Sequence, residues 1–170
     1  ARFSNIMEDI ITYAKSGGLV IGICNGFQIL CESGLLPGVL IRNDSLQFRC
    51  QDTFLKLNDN VIDSPFLNSI NESPSLKIPI SHGSGNYFAD KSTLKSLLKN
   101  NRIAFQYSNP NGIIDSIYNP NGSIANIAGI LNEHGNVLGM MPHPERACDN
   151  LIGGEDGNYI WKSVIESLKK

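Results

Sequence analysis

Long apolar runs are missing from this sequence. The most apolar stretch, Leu19-Val20-Ile21-Gly22-Ile23-Cys24, falls far short of the roughly 20 residues needed to cross a bilayer. Nor does any succession of charged, apolar and small residues mark a secretory signal. Excess charge is missing too. Fourteen Lys and Arg against 16 Asp and Glu give a net charge of −2. The basic surplus that neutralises a phosphate backbone is absent, so a nucleic-acid partner is not expected. The four cysteines (Cys24, Cys31, Cys50 and Cys148) have no C-x-x-C spacing, which argues against a zinc site and a disulfide framework. No glycine-rich string ends in the Lys-Ser/Thr of a phosphate-binding loop. A cytoplasmic protein with neither membrane nor nucleic acid as partner is the expectation. What is present is enough for a core: hydrophobic residues make up 41% and charged residues 18% of 170 residues, the size of one domain.

The organisation reads as α/β. Ser4 is placed to cap a helix carrying Ile6, Ile10, Tyr13 and Ala14, which Gly17-Gly18 ends. Leu19 to Ile23 follows as an uninterrupted apolar strand, the kind found in parallel sheets covered on both faces. A second helix is expected from Asn25 to Ser33. Alternating runs at Thr53–Leu57 and Leu76–Ile80 predict strands, Ser92 a helix cap, and Arg102–Tyr107 another strand. Two Asn-Pro-Asn-Gly turns, Asn109–Gly112 and Asn119–Gly122, are expected to bracket a hairpin. Ile124–Leu131 and Val137–Met140 predict strands joined through His134-Gly135-Asn136. A last helix starting near Asp156 would bury Ile160, Trp161, Val164, Ile165 and Leu168 as one stripe.

One short segment carries chemistry. Gly22-Ile23-Cys24-Asn25-Gly26 sits between a buried strand and a helix. There a tight turn lifts a nucleophile off the sheet, and the glycines keep side chains out of the turn. A helix start favours a thiolate at Cys24. The N–H of Asn25 then becomes the first oxyanion donor. A buried structural thiol is the alternative reading, and it is the one adopted for Cys31, Cys50 and Cys148. A cysteine nucleophile needs a base. His143 lies in Met140-Met141-Pro142-His143-Pro144-Glu145-Arg146, where the prolines hold their predecessors extended, so that Glu145 shares a face with His143 and can orient its imidazole. A rigid loop bearing a surface Glu-Arg pair is the alternative. His134 falls in a turn. His82, in Ser81-His82-Gly83-Ser84-Gly85-Asn86-Tyr87, is assigned to a backbone-lined substrate wall, with a plain turn as the other reading.

These strings resemble the class I glutamine amidotransferases. The likeness rests on Gly22-Ile23-Cys24-Asn25-Gly26-Phe27-Gln28-Ile29-Leu30 together with Gly139-Met140-Met141-Pro142-His143-Pro144-Glu145-Arg146. Within that class, Pro79-Ile80-Ser81-His82-Gly83 and Asn119-Pro120-Asn121-Gly122-Ser123 are similar to the glutaminase subunits of phosphoribosylformylglycinamidine synthases. Ser84 departs from the pattern, which has an acidic residue there.

The resemblance implies a flavodoxin-like α/β fold, with a mostly parallel sheet and helices on both faces. The chain would be a single amidotransferase domain over 1–170, lacking its N-terminal strands and with them a second oxyanion donor. The implied catalytic residues are Cys24, His143 and Glu145, with Asn25, Gln28 and His82 binding L-glutamine. Spacing alone leaves Gln28 equally readable as a solvated helix position. The resemblance further implies no cofactor or metal in this chain. ATP and magnesium would be held by a larger synthetase subunit, with a small accessory subunit completing the complex. A non-catalytic assembly subunit, or an inactive fragment, is the reading from a different class.

Overall fold

A computed structural model of the chain describes residues 4–70 and 74–169. It contains helices α1 (Asn5–Lys15), α2 (Asn25–Glu32), α3 (Lys91–Lys99) and α4 (Asn158–Ser167). The strands are β1 (Val20–Ile23), β2 (Val39–Ile41), β3 (Arg49–Leu57), β4 (Leu76–His82), β5 (Asn86–Phe88), β6 (Ile103–Ser108), β7 (Ile127–Leu131) and β8 (Val137–Met140). Six strands form one sheet in the order β1-β8-β7-β6-β3-β4, while β2 and β5 pair as a separate antiparallel ribbon.

The α/β class is as expected, but the sheet is mixed rather than mostly parallel. Among the described residues only β1 and β8 run parallel; the pairs β8–β7, β7–β6, β6–β3 and β3–β4 are antiparallel. The physical reason lies in the connections. The turn between β7 and β8, closed by Asn132 Nδ2 donating to Asn136 Oδ1 at 2.9 Å, is far too short for a parallel crossover.

Two apolar layers cover the sheet. On one face Ala14, Phe27, Leu30 and Leu97, from the three earlier helices, pack with Ile103, Ile127, Ile130 and Val137. On the other, Ile160 of α4 packs with Leu55, Ile78, Ile80, Phe105, Leu138 and Met140. Each such side chain contributes about 1.5–3 kcal/mol through loss of water contact.

Several local expectations change. In α1 the buried face carries Met7 and Ala14, whereas Ile6 is 61% and Tyr13 55% exposed. Ile6 and Ile10 line an apolar groove of about 400 Å³ beside β1, with Val20, Gly22, Gly26 and Ile29. The cap of α3 is Asp90, not Ser92: its carboxylate accepts from the Thr93 amide at 2.7 Å, and the Ser92 hydroxyl donates to the same carboxylate at 2.8 Å. The two Asn-Pro-Asn-Gly turns do not bracket a hairpin. Between them lies a short 3₁₀ turn, Ser116–Tyr118, started by Asp115, and each turn is closed locally by its leading Asn side chain. The last helix begins at Asn158, because Asp156 turns its carboxylate to the Lys77 amide at 2.7 Å. Its buried face is narrower than a full stripe: Ile160 is enclosed, but Ile165 and Leu168 are exposed.

Candidate active site

The candidate nucleophile sits where sequence and geometry both demand an unusual backbone. Cys24 follows β1 directly and caps α2 with φ 53° and ψ −107°. That region is sparsely populated for side-chain-bearing residues and is kept only where its surroundings impose it. Two of those surroundings are visible. The Cys24 amide donates to the Met140 carbonyl at 2.9 Å, continuing the β1–β8 ladder one step past its end. A Cβ on Gly22 would lie 2.7 Å from the Gly26 carbonyl group, so only glycine lets the first turn of α2 fold back onto β1. Gly26 carries no such constraint; a Cβ there would meet open space. The expectation of crowding holds at the first glycine and not at the second.

His143 comes to the same end of the molecule. It lies three residues past the end of β8 and is 8% exposed. Its Nδ1 stands 2.6 Å from Glu145 Oε1. A carboxylate can only accept, so Nδ1 carries a hydrogen, and in the neutral imidazole Nε2 is the atom left with a lone pair. That Nε2 is buried and has no hydrogen-bond partner among the described residues. The Arg146 guanidinium lies 3.7 Å from the same Glu145 oxygen.

Strand β4 gathers the two. It lies at the edge of the sheet, paired on one side with β3. Along an edge strand, alternate residues turn their backbone groups away from the ladder. Pro79 faces that way, where its lack of an N–H costs the ladder nothing. Its carbonyl accepts from the His143 amide at 2.8 Å. Two residues on, the Ser81 carbonyl accepts from the Cys24 thiol at 3.8 Å. Neighbouring carbonyls of one strand edge thus hold the base segment and the sulfur. The thiol hydrogen is directed at a carbonyl and not at the imidazole. Burial pushes the Cys24 thiol up from its usual value; the Asn25 amide and Arg146 pull the other way and are outweighed. The helix-start effect expected of this position is therefore present, but smaller than desolvation.

The remaining sequence candidates are placed as follows. Asn25 is the first residue of α2, its N–H beside the sulfur and its side chain exposed. Gln28 lies one turn along, with its side-chain amide donating to Glu32 Oε1 at 3.0 Å, on the helix surface. His82 is 4% exposed. Its Nδ1 meets Asn43 Oδ1 at 3.1 Å and its Nε2 meets Asn121 Nδ2 at 3.4 Å. Both ring nitrogens thus face protein amides and the ring is enclosed. Ser84 is exposed. Among the described residues no group of three or more His, Cys, Asp or Glu could hold a metal ion, and no helix is long and apolar enough to cross a membrane.

Comparison with known proteins shows the family. Residues 1–156 match the model of the CobB/CobQ-like glutamine amidotransferase domain. The chain is 54% identical over 166 residues to the phosphoribosylformylglycinamidine synthase subunit PurQ of Moorella thermoacetica, covering 98% of this chain and 70% of that one. The chain belongs to the PurQ family of glutamine amidotransferases. A second PurQ relative, from Salinibacter ruber, is 50% identical across 99% of this chain and 71% of its own. Among solved structures, that of PurLQS from Thermotoga maritima superposes with a TM-score of 0.82 at 40% identity, covering 98% of this chain and 70% of that chain.

Within this PurQ-family site, sequence reasoning missed the part played by backbone and amide groups. The Pro79 and Ser81 carbonyls leave no trace in residue identity. Asn43 stands alone between loops with no motif around it. The Asn119–Ser123 string reads from sequence as a turn and as part of the family likeness; in the structure Asn121 is an enclosed hydrogen-bonding hub.

Proposed function

We propose that this chain hydrolyses L-glutamine to glutamate and ammonia for a synthetase partner. The observation that carries the reading is the strained cysteine at the strand–helix turn, facing the same β4 edge as a buried imidazole already oriented by a carboxylate. Cys24 Sγ attacks the carboxamide carbon of glutamine while its proton passes to His143 Nε2. The oxyanion forms beside the Asn25 N–H, the first backbone amide after the nucleophile. His143 then gives that proton to the departing nitrogen, the C–N bond breaks, and ammonia leaves a γ-glutamyl thioester. Water, deprotonated by His143, attacks the thioester and releases glutamate, returning the proton to the sulfur. Glu145 holds the imidazole tautomer and balances its charge when protonated.

The ammonia passes to a larger synthetase subunit, which with ATP and magnesium converts formylglycinamide ribonucleotide to the amidine in purine synthesis. A small accessory subunit completes the assembly, in the cytoplasm. This chain itself, one amidotransferase domain over its length, uses no cofactor. The PurLQS structure of the Thermotoga maritima relative supports the partner assignment. Labelling by a diazoketone analogue of glutamine tests the reading. One covalent adduct on Cys24 is expected, a thioether formed with loss of N₂, none in Cys24→Ala, and labelling slowed about 10²–10⁴-fold in His143→Ala. An adduct elsewhere, or hydrolysis of glutamine that survives Cys24→Ala, overturns it.

A further inference from the structure

The described polar interior is unusually rich beside the site. Asn43, His82, Asn121, Ser123 and Tyr107 are all buried. Asn43 Oδ1 accepts from the Gly85 amide at 3.0 Å and Asn43 Nδ2 donates to the His82 carbonyl at 3.0 Å, while the Asn43 amide donates to the Gly83 carbonyl at 3.0 Å. Asn121 Nδ2 donates to the Gly85 carbonyl at 2.8 Å and to the Tyr107 hydroxyl at 3.2 Å. These backbone partners fix which end of each amide is which. Asn43 therefore fixes the tautomer of His82: Nδ1–H donates to its Oδ1, and the unprotonated Nε2 faces Asn121 Nδ2 at 3.4 Å, whose two hydrogens go to Gly85 and Tyr107. Burial supports the neutral form by pushing the imidazole down to about 4. Gly85 closes the ring in from above, since a Cβ there would lie 2.3 Å from His82 Cε1.

An apolar plug of the same volume would be cheaper to bury than five hydrogen-bonding side chains. What the polar cluster supplies is direction. It grips the carbonyls of His82, Gly83 and Gly85 just where β4 leaves the ladder with β3. One residue back lies the Ser81 carbonyl that receives the thiol; three residues back lies the Pro79 carbonyl that receives the His143 amide.

We infer that His82, clamped between Asn43 and Asn121, is a positioning residue that sets the end of β4 and, through its outward carbonyls, the approach of Cys24 to His143. The inference deepens the glutaminase reading and rests on it. Displacing a reacting pair by about 1 Å is enough to cost on the order of 100-fold. His82 contributes without touching substrate, so its loss acts on the chemical step and leaves glutamine affinity in place.

The test uses the full chain and the diazoketone analogue, separating the maximal labelling rate from the concentration giving half that rate. His82→Phe keeps a ring and loses both nitrogens. Its maximal rate is expected to fall about 100-fold while the half-saturating concentration stays within about threefold. His82→Gln, whose amide can again donate and accept, is expected to recover to within about tenfold of the unchanged chain, with the pH midpoint of labelling unmoved. Asn121→Ser, which keeps a short donor, carries the same expectation at about tenfold should His82→Phe not fold. Labelling of folded His82→Phe, or of Asn121→Ser where His82→Phe does not fold, within about threefold of the unchanged chain overturns the inference. So does a change confined to the half-saturating concentration, which would put His82 in contact with glutamine. If the unchanged chain is not labelled at Cys24, the glutaminase reading falls; if it is and the variants match it, only this inference does.

Discussion

The two halves of the site are built by opposite means. The half that carries Cys24 is local: strand, strained turn and helix come from adjacent residues, and the constraint is a positive φ enforced by a ladder bond and a glycine. The half that carries the base is assembled at long range. His143 is tied to Pro79, 64 residues earlier by the difference of their numbers, and β4 is held in turn by Asn43 and by Asn121, each 39 residues from His82. The first half stores its geometry in backbone strain, the second in a polar network with no strained residue among His82, Asn43 and Asn121. A strained turn loses its geometry when it is relaxed; a network loses it when one member goes.

The sharpest way to break the comparison is at the base. Glu145→Gln keeps shape but removes the charge that fixes the imidazole; a fall in kcat of about 10²–10⁴ with little change in KM is expected, by analogy with the loss of an orienting carboxylate in other triads. Steady-state glutaminase assays check it. On the nucleophile side, Gly22→Ala pushes a Cβ against the Gly26 backbone. It is expected to cost about 1–3 kcal/mol of stability and to lower the labelling rate of Cys24 in proportion to the displacement, measured by urea unfolding and by alkylation. If stability falls and labelling does not, strain is not what places the sulfur.

Third in size is the response to acid. His82 is neutral when folded, with its pKa near 4, against an ordinary value of 6.5. Between those two values the unfolded chain binds the extra proton and the folded chain does not. Stability is therefore fully present above about pH 6.5 and drains away as pH falls toward 4, by about 3 kcal/mol. Urea midpoints at stepwise pH should show that slope in the unchanged chain and lose it in His82→Gln. The smallest effect is expected farthest from the site. Asn136→Ala removes donors to the Ala14 and Gly18 carbonyls, both at 2.8 Å, for about 1–3 kcal/mol of stability and unaltered labelling kinetics.

The same contrast explains what could be read from sequence. Cys24 and its turn were legible because five consecutive residues carry the whole constraint. The His143–Glu145 pair was legible because prolines fix an extended segment. The mixed sheet was not, since an apolar run such as Val20–Ile23 looks alike in a parallel or antiparallel neighbourhood. Nor was the thiol's balance, because the depth of burial around Cys24 depends on β4, which arrives from 57 positions away. His82 was legible only as an imidazole that follows a strand; a sequence does not show that two distant amides will enclose it.

The ladder bond from the Cys24 amide to Met140 has a kinetic corollary. Pinned through its nitrogen as the last rung between two strands, the cysteine keeps a single soft degree of freedom, rotation about Cα–Cβ. The sulfur leaves the Ser81 carbonyl by rotation about that bond alone, a motion that takes picoseconds to nanoseconds for an unhindered side chain. Turnover in such an arrangement is paced by bond making, or by the arrival and departure of small molecules, while the main chain around the sulfur stays still.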